Sequence, residues 1–303
     1  MNSFNLKDIS DQSGKVAVVT GANDGLGFET TKFFASKGIE VVMACRNIEK
    51  ALVAKNKILS IIATAKLDII PLDLKSLNAV HKFVDTFNTK YKRLDILVNN
   101  AGIMIPPFSL TEDGFESQMG VNYFSHFLLT NLLLNQLKST PNSRVVSLSS
   151  IAHKSGKIDF NNINSKGKYN KVAAYSQSKL ACLIFAKELN KRLEEKNKSI
   201  LSVAAHPGVS ATNLFQFLPT WFKVVAPIFE PLFSHSPDKA SLPIIVAALH
   251  PDINGGDYIG PGGFNEMKGK PTLAKSAPVA NDGEVAEKLW ALSEKLTNNN
   301  FNI

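Results

Sequence analysis

One tyrosine and one lysine have the residue types and the spacing for proton transfer. Tyr175 is the only one of the five tyrosines that has a lysine four residues later, Lys179. On a helix, residues i and i+4 lie on one face, so the two side chains are expected to be neighbours. A free phenol has a pKa of about 10, and a nearby ammonium favours the phenolate, which brings the group toward the range of general acid–base catalysis. Surface decoration of a helix is the alternative explanation for the pair.

A glycine-rich turn lies much earlier in the chain, between a predicted strand and a predicted helix. Residues 20–27 read Thr-Gly-Ala-Asn-Asp-Gly-Leu-Gly. Backbone N–H groups and a helix dipole meet at such a junction, where they can bind a dinucleotide pyrophosphate. The spacing G-x-x-x-G-x-G is not the usual G-x-G-x-x-G, so an ordinary tight turn is the alternative. The candidate cofactor contacts in this turn are Gly21, Asn23, Asp24, Gly25, Leu26 and Gly27.

The residue after the second predicted strand bears on which dinucleotide is bound. An acidic residue at this place prefers the free 2′-hydroxyl of NAD, whereas this chain has Cys45 followed by Arg46. Arginine pairs with a 2′-phosphate through charge-assisted hydrogen bonds, so NADP(H) is expected in preference to NAD(H). Two points stand against this expectation: Arg46 could be a plain surface charge, and Asp24 would lie near the phosphates.

Small polar turns follow two later strands. Residues 99–102 read Asn-Asn-Ala-Gly, and Ser149 and Ser150 follow another strand. Doubly wound folds bind their ligands at the carboxyl ends of the strands. Either turn could simply end a strand, but their order together with the glycine-rich turn and the Tyr175–Lys179 pair is hard to obtain by chance. These features therefore predict one ligand site.

The elements that must position these residues alternate along the chain. Short aliphatic or β-branched runs alternate with segments of helical period, which is typical of a parallel sheet with crossover helices. Amphipathic helices are expected over 112–138 and 173–195, and Gly38 should end the first helix in a left-handed conformation. We predict a single α/β domain with a Rossmann fold, a doubly wound parallel sheet of about seven strands with helices on both faces. The predicted strands are 15–20, 39–45, 67–72, 94–98, 144–148, 201–205 and one around Tyr258.

Composition and charge narrow the class of protein. The chain has 303 residues, of which 44% are hydrophobic and 20% charged, as is ordinary for a globular protein. Its formal charge of +8 comes from lysines and arginines scattered along the chain, so a mildly basic surface is expected and a nucleic-acid partner is not. Cys45 and Cys182 have no disulfide or metal spacing, so no metal site is expected from them. The histidines His153, His206, His235 and His250 show no metal-binding pattern either, and each is expected to be solvated or hydrogen-bonded.

Targeting and membrane segments are not expected from the hydropathy pattern. Residues 1–15 contain Asp8 and Asp11 and no apolar run, so they resemble neither a signal peptide nor an anchor. No uninterrupted apolar stretch is long enough to cross a bilayer. A cytoplasmic location is therefore expected.

Taken together, these motifs resemble those of the short-chain dehydrogenases/reductases. The resemblance rests on T-G-x-x-x-G-x-G, N-N-A-G, S-S before Y-x-x-x-K and a later Pro-Gly, and it covers nearly the whole chain. The stretches Ser-Ile-Ala-His at 150–153, Tyr-Ser-Gln-Ser-Lys at 175–179 and His-Pro-Gly-Val at 206–209 look most like the retinol dehydrogenase-like branch.

The resemblance implies a role for each matching residue. Tyr175 would be the proton donor for reduction, Ser150 the hydrogen-bond partner of the substrate oxygen, and Lys179 a partner of the nicotinamide ribose. Ser150 is preferred over Ser149 because the family serine directly precedes the Ile-Ala-His-like segment, and Asn122 matches the asparagine that supports a water relay to the lysine. The further implied cofactor contacts are Asn99, Ala101 and Gly102 on the adenosine side, Asp73 and Leu74 near the adenine, and Pro207, Gly208, Val209 and Thr212 near the carboxamide.

The segment 213–233 follows Thr212, where the family has its variable substrate-binding loop. It is rich in aromatic and aliphatic residues and is interrupted by Pro219, Pro227 and Pro231. We interpret it as a lid over an apolar substrate. Packing into the core, contact with a partner and shallow contact with a membrane surface are the alternatives.

The function expected from the resemblance is transfer of a hydride between NADP(H) and a small lipophilic carbonyl or alcohol. The alternative is a non-catalytic NADP(H)-binding regulator on the same fold, because a fold does not fix a function. Membrane-bound retinol dehydrogenases generally carry an apolar N-terminal anchor, whereas this sequence begins almost directly at the first strand, so retinoid activity does not follow. Family members often dimerise through the two long helices, and a homodimer is one expectation here unless those apolar faces are covered otherwise.

Overall fold

The aliphatic runs of the sequence form one sheet. In a computed structural model, which describes residues 4–196, 199–208 and 236–303, seven strands run parallel and an eighth pairs antiparallel at one edge. The strands are β1 (Val16–Thr20), β2 (Glu40–Cys45), β3 (Leu67–Pro71), β4 (Ile96–Asn99), β5 (Arg144–Leu148), β6 (Leu201–Ala205), β7 (Tyr258–Pro261) and β8 (Pro271–Leu273). Their order in the sheet is β3-β2-β1-β4-β5-β6-β7-β8. The predicted doubly wound α/β fold is confirmed.

The eighth strand was not expected. Pro-Thr-Leu at β8 is too short to show an alternating pattern, and it becomes a strand only by pairing, with Ile259 opposite Leu273 and Pro261 opposite Pro271. Proline is tolerated there because β8 lies at the edge of the sheet, where one side of the strand needs no partner.

Helices cover both faces of this sheet. Gly38 has the expected left-handed conformation after the first helix, with a φ of +80°. The second long helix begins at Lys171, where the Asn170 side chain accepts the N–H groups of Val172 and Ala173. The helices are α1 (Gly25–Ser36), α2 (Ile48–Ile61), α3 (Leu77–Lys90), α4 (Ser117–Met119), α5 (Ser125–Leu132), α6 (Leu134–Lys138), α7 (Lys171–Glu195), α8 (Pro237–Ala240), α9 (Leu242–Leu249) and α10 (Gly283–Thr297).

The helix predicted over 112–138 is shorter and is not continuous. It begins at Ser117, because Glu116 caps it by accepting the N–H groups of Gln118 and Met119. A π-helical turn, Gly120–Phe124, separates α4 from α5, and Leu133 interrupts the chain before α6. Such turns insert a residue into an α-helix and are frequent at functional sites.

The two long helices are covered by α10. On α5 and α7, Phe127 and Phe185 pack against Trp290, with ring centroids 5.2 and 5.9 Å away. The Tyr123 hydroxyl lies 2.8 Å from that of Ser293, which ties the π-helical turn to the same helix. An amphipathic pattern was expected for the first long helix, but α5 is almost wholly buried, because both α3 and α10 pack against it.

Two absences apply to the part of the chain that the structure describes. None of its helices is both long and apolar enough to cross a bilayer. Over residues 4–196, 199–208 and 236–303, no group of three or more His, Cys, Asp or Glu side chains could hold a metal ion.

Candidate active site

The predicted site residues converge at the carboxyl ends of the parallel strands. β1 pairs with β2 on one side and with β4 on the other, so the order of the strands reverses between β1 and β4. In open α/β sheets a ligand crevice forms outside this switch point. The glycine-rich turn follows β1, and the Asn-Asn-Ala-Gly turn follows β4.

The glycine-rich turn has a geometry that requires glycine. Gly21 and Gly25 have φ angles of +67° and +51°, which disfavour a side chain. A Cβ at Gly27 would lie 2.2 Å from the carbonyl oxygen of Gly21, so α1 can approach the turn only without one. This compact turn leaves backbone at the start of α1 for an anionic ligand.

Two side chains of the turn limit how a pyrophosphate would be held. The Asp24 carboxylate accepts the N–H of Gly25 at 2.8 Å and thus takes one donor of the first turn of α1. The Leu26 side chain is buried in the core, so this residue can offer a ligand only its backbone. Asn23, which lies between Gly21 and Asp24 in the sequence, is half-buried.

Thr20 joins the two turns. Its hydroxyl oxygen accepts the N–H groups of Asn100 and Ala101, each at 2.9 Å, and the Asn100 side chain donates to the Thr20 carbonyl at 2.7 Å. No role was predicted for Thr20 or Asn100 from the sequence, although both belong to the motifs. The side chain of Asn99 is buried and donates to Thr130 at 2.9 Å.

The residues predicted to meet the adenosine follow β2 and β3. Arg46 directly follows β2 and is exposed. The Asp73 carboxylate accepts the N–H of Lys75 at 3.0 Å, which fixes its turn, and the side chain of Leu74 is buried. The guanidinium of Arg46 is thus accessible at the place where the sequence predicted a 2′-phosphate partner.

Tyr175, Lys179 and Ser150 come together between β5 and α7. The Lys179 ammonium lies 6.0 Å from the centroid of the Tyr175 ring and donates to the carbonyl of Leu148 at 3.1 Å. The Ser150 hydroxyl lies next to the Tyr175 hydroxyl, to which it can donate, and its oxygen accepts the N–H of Ala152 at 3.2 Å. Tyr175 and Lys179 are 7% and 4% exposed, so the pair is no surface decoration.

The neighbouring serine has a different partner. The Ser149 hydroxyl donates to the backbone carbonyl of Lys179 at 2.8 Å, which ties β5 to α7. Of the two serines, Ser150 is therefore the one whose hydroxyl lies next to the phenol, while its oxygen caps the turn that follows.

The expected lowering of the tyrosine pKa is not found. Burial raises the pKa of Tyr175 to about 12, and the hydrogen bond from Ser150 offsets only part of this rise. Burial also lowers the pKa of Lys179. In this environment Tyr175 is a neutral phenol, which is the protonation state that a proton donor needs.

Asn122 lies in the π-helical turn and holds two other segments. Its side-chain oxygen accepts the N–H of Ile103 at 2.8 Å, and its amide group donates to the Ile103 carbonyl at 3.1 Å and to the Ser178 hydroxyl at 2.9 Å. A Cβ at Gly102 would lie 3.1 Å from the Asn122 side-chain oxygen and 3.4 Å from the Lys179 ammonium. The structure thus brings Asn122, Gly102 and Lys179 to one place.

His126 links this turn to the glycine-rich turn. One ring nitrogen lies 3.0 Å from the carbonyl of Asn122 and the other 2.9 Å from the Thr20 hydroxyl. Burial lowers the pKa of His126 to about 4, so its ring is neutral near pH 7. No motif marks His126, and sequence reasoning missed it.

The Pro-Gly segment follows β6. Gly208 has a φ of +74°, and a Cβ there would lie 2.2 Å from the carbonyl oxygen of Met267. Val209, Thr212 and the whole segment 213–233 lie outside the described residues. Pro207 and Gly208 are therefore the part of the predicted carboxamide contact that the structure places.

Comparisons with known proteins agree with this geometry. Residues 15–222 match the family model described as short chain dehydrogenase. Retinol dehydrogenase 13 from Homo sapiens is 41% identical over 295 residues, which cover 93% of this chain and 84% of the relative. Polyprenol dehydrogenase from Danio rerio is 36% identical over 295 residues, which cover 96% of this chain and 89% of the relative.

A solved structure is similar over its full length. The crystal structure of an uncharacterized protein from Mycobacterium Paratuberculosis has a TM-score of 0.83 and 36% sequence identity, and the match covers 100% of both chains. The family match, the fold and the clustered motifs agree, and the resemblance to the retinol dehydrogenase-like branch is confirmed. This chain belongs to the short chain dehydrogenase family of oxidoreductases.

Proposed function

We propose that this chain reduces a lipophilic carbonyl with NADPH, or oxidises the corresponding alcohol with NADP⁺, and that Tyr175 is its acid–base residue. The observation that carries the proposal is a buried, neutral Tyr175 phenol that lies next to Ser150 and beside the buried Lys179 ammonium. These groups lie at the same edge of the sheet as the glycine-rich turn.

The described residues fit a dinucleotide phosphate. The glycine-rich turn offers the backbone at the start of α1, apart from the Gly25 N–H that Asp24 accepts, and the exposed Arg46 can pair with a 2′-phosphate. The Asp24 carboxylate opposes the pyrophosphate charge, and the formal charge of +8 on the chain favours the anion as a whole. We propose that the cofactor contacts predicted from the sequence hold NADP(H).

When bound, the nicotinamide supplies the hydride to the carbonyl carbon in reduction and accepts it in oxidation. The Ser150 hydroxyl donates a hydrogen bond to the substrate oxygen. Tyr175 gives its phenol proton to that oxygen, so hydride and proton together convert the carbonyl to an alcohol. The Lys179 ammonium stabilises the phenolate that remains, since an opposite charge nearby favours the ionised form.

Asn122 holds the segments around Tyr175 and Lys179 in place. Its contacts with Ile103 and Ser178 fix the turn after β4 to the helix that carries Tyr175 and Lys179. We propose that it also supports a water relay that returns a proton to Lys179 and Tyr175.

A lipophilic substrate is supported by the names of the two relatives, because retinol and polyprenols are apolar alcohols. The apolar segment 213–233 would cover such a substrate as a lid within the same domain. Its peripheral contact with a membrane, a homodimer and a cytoplasmic location stay predictions from the sequence.

The test is a comparison of Tyr175→Phe with the parent chain. Purified protein is mixed with NADPH or NADH and with aliphatic, aromatic, steroid and retinoid carbonyls, and cofactor oxidation is followed by absorbance. Tyr175→Phe should bind NADPH with an unchanged Kd and lose about a hundredfold or more in kcat, because the proton donor is gone.

Tyr91→Phe is the matched control. The Tyr91 hydroxyl is also hydrogen-bonded, to Glu40 and Asp68, but it lies beyond the end of α3 and away from the site. Its kcat should equal that of the parent. Full turnover by Tyr175→Phe would contradict the mechanism, and NADPH binding without turnover of any carbonyl would favour the regulator hypothesis.

A further inference from the structure

The connection between β7 and β8 contains strained backbone close to the candidate site. Asn265 and Glu266 are consecutive and both left-handed, with φ angles of 49° and 57°. This conformation is unfavourable for residues with a side chain, and it persists only where surrounding contacts hold it. The contacts of Glu266 show what holds it here.

The Glu266 carboxylate contacts three separate segments. One oxygen accepts the Lys154 ammonium at 2.8 Å and lies 3.5 Å from the Nε2 atom of His206, and the other accepts the backbone N–H of Lys275 at 2.9 Å. Burial raises the pKa of this carboxyl, but the nearby His206 ring and the hydrogen bonds from Lys154 and Lys275 outweigh it and hold the pKa at about 2. Glu266 is therefore an anion over the whole physiological range.

The orientation of the His206 ring follows from its other contact. Its Nδ1 atom accepts the N–H of Gly208 at 3.2 Å, so the neutral ring carries its proton on Nε2, which faces Glu266. The distance of 3.5 Å is too long for a good hydrogen bond, and the buried Nε2 atom has no hydrogen-bond partner among the described residues, so the Glu266 carboxylate acts on it through its charge. The negative charge of the carboxylate favours the tautomer whose Nδ1 atom can accept from Gly208.

Close packing holds the His206 ring in one position. His206 is fully buried and packs on Tyr258, with ring centroids 5.1 Å apart. A Cβ at Gly260 would lie 1.9 Å from the Nε2 atom, so the ring fits only because that residue is a glycine. The backbone of Met267, next to Glu266, also meets Gly208 directly.

A continuous set of contacts therefore runs between two parts of the candidate site. Lys154 lies in the short helical turn that Ser150 caps, and Gly208 belongs to the Pro-Gly segment that is proposed to meet the nicotinamide. Between them stand only Glu266 and His206.

We propose that Glu266 and His206 are a positioning pair, which sets the conformation of the Pro207–Gly208 turn for the nicotinamide end of NADP(H) and couples it to the Ser150 turn through Lys154. Neither side chain of the pair touches the reacting atoms. This inference rests on the proposed function, because the contact of Pro207 and Gly208 with the cofactor is part of that proposal.

The test uses Glu266→Ala and Glu266→Gln in the full chain. The Kd for NADPH is measured by calorimetry, KM and kcat by turnover, and the midpoint of thermal unfolding alongside. Glu266→Ala should raise the Kd and KM for NADPH by roughly tenfold with a smaller change in kcat, because a misplaced cofactor contact weakens binding. Glu266→Gln keeps an acceptor oxygen and should restore most of the affinity.

Glu188→Ala is the matched control. Glu188 is a buried carboxylate that accepts Arg192 at 2.6 Å in the carboxyl-terminal half of α7. It should lower the unfolding midpoint and leave the Kd for NADPH unchanged. If Glu266→Ala behaves as Glu188→Ala does, Glu266 only stabilises the fold and the positioning role is wrong.

The two proposals fail in different ways. A parent chain that does not bind NADPH contradicts the proposed function and the positioning pair with it. A parent chain that binds NADPH, with the same Kd in Glu266→Ala and Glu266→Gln, contradicts the positioning pair alone. If Glu266→Ala does not fold, Lys154→Met and Glu266→Gln test the positioning pair instead. Lys154→Met removes one contact of the carboxylate and should therefore weaken NADPH binding more than Glu266→Gln does.

Discussion

The two ends of the candidate site are held together by different forces. Around β1 and β4, Thr20, Asn100 and Asn122 fix the turns through hydrogen bonds between backbone and neutral side chains. Around β6 to β8, a carboxylate in strained backbone joins a lysine, a histidine and a peptide N–H. Both ends need close approaches to glycine, at Gly27 in the first and at Gly208 and Gly260 in the second, but only the second also depends on a charge.

The largest effect is expected from a side chain placed in the glycine-rich turn. Gly27→Val should destabilise the fold by about 3 kcal/mol and abolish NADPH binding, because its Cβ meets a backbone oxygen at 2.2 Å that cannot turn aside. Urea unfolding and NADPH calorimetry measure the two effects. Gly283→Ala is the control, since a Cβ there meets nothing within 4 Å and should change neither. Retained NADPH binding in Gly27→Val would show that this end tolerates looser packing than the structure indicates.

A change of charge at the exposed edge of the same end should alter selectivity and not stability. Arg46→Asp is expected to raise the Kd for NADPH by about a hundredfold and the Kd for NADH by little, because it removes the phosphate partner and adds repulsion. Binding of both cofactors is measured by calorimetry at fixed ionic strength. Lys288→Asp makes the same change in net charge on exposed surface of α10 and should leave the ratio unchanged. Equal effects of Arg46→Asp on both cofactors would remove Arg46 from the phosphate site.

The smallest effect is a pH dependence confined to the charged end. The pKa of Glu266 falls from 4.5 to about 2 in the folded chain, so its ionised form stabilises the fold above about pH 4.5. This stabilisation is lost as the pH falls from 4.5 toward 2, because the unfolded chain then binds the proton first. The difference in unfolding free energy between the parent and Glu266→Gln, measured in urea, should therefore be constant from pH 5 to 7 and shrink below it. A constant difference down to pH 3 would mean that the charge of Glu266 does not hold this end.

The same division separates what could be predicted from the sequence from what could not. The glycine-rich turn, Asn99 to Gly102, Ser150, Tyr175 and Lys179 are short local motifs, and each sits on an element whose period or flanking residues define it. Seven of the eight strands were predicted for the same reason. The predicted lowering of the pKa of Tyr175 was wrong, because burial depends on the whole fold and the sequence shows only the nearby lysine.

The residues that were missed act over long sequence separations. Glu266 meets Lys154 across 112 residues, and His126 meets Thr20 across 106. No spacing in the sequence marks such pairs. The π-helical turn around Asn122 and the cover provided by α10 are likewise set by packing, which is why a continuous amphipathic helix was expected where the structure has a broken and buried one.

The position of α10 has a consequence for how the molecule is made. Trp290 covers Phe127 and Phe185, and both of those residues leave the ribosome well before it does. During synthesis the sheet and the long helices can form while this aromatic surface is still open to water, and therefore to chaperones and to other nascent chains. The aromatic core is therefore completed only after α10 has been synthesised. Truncation of the chain before Trp290 would leave this apolar surface exposed and prone to aggregation.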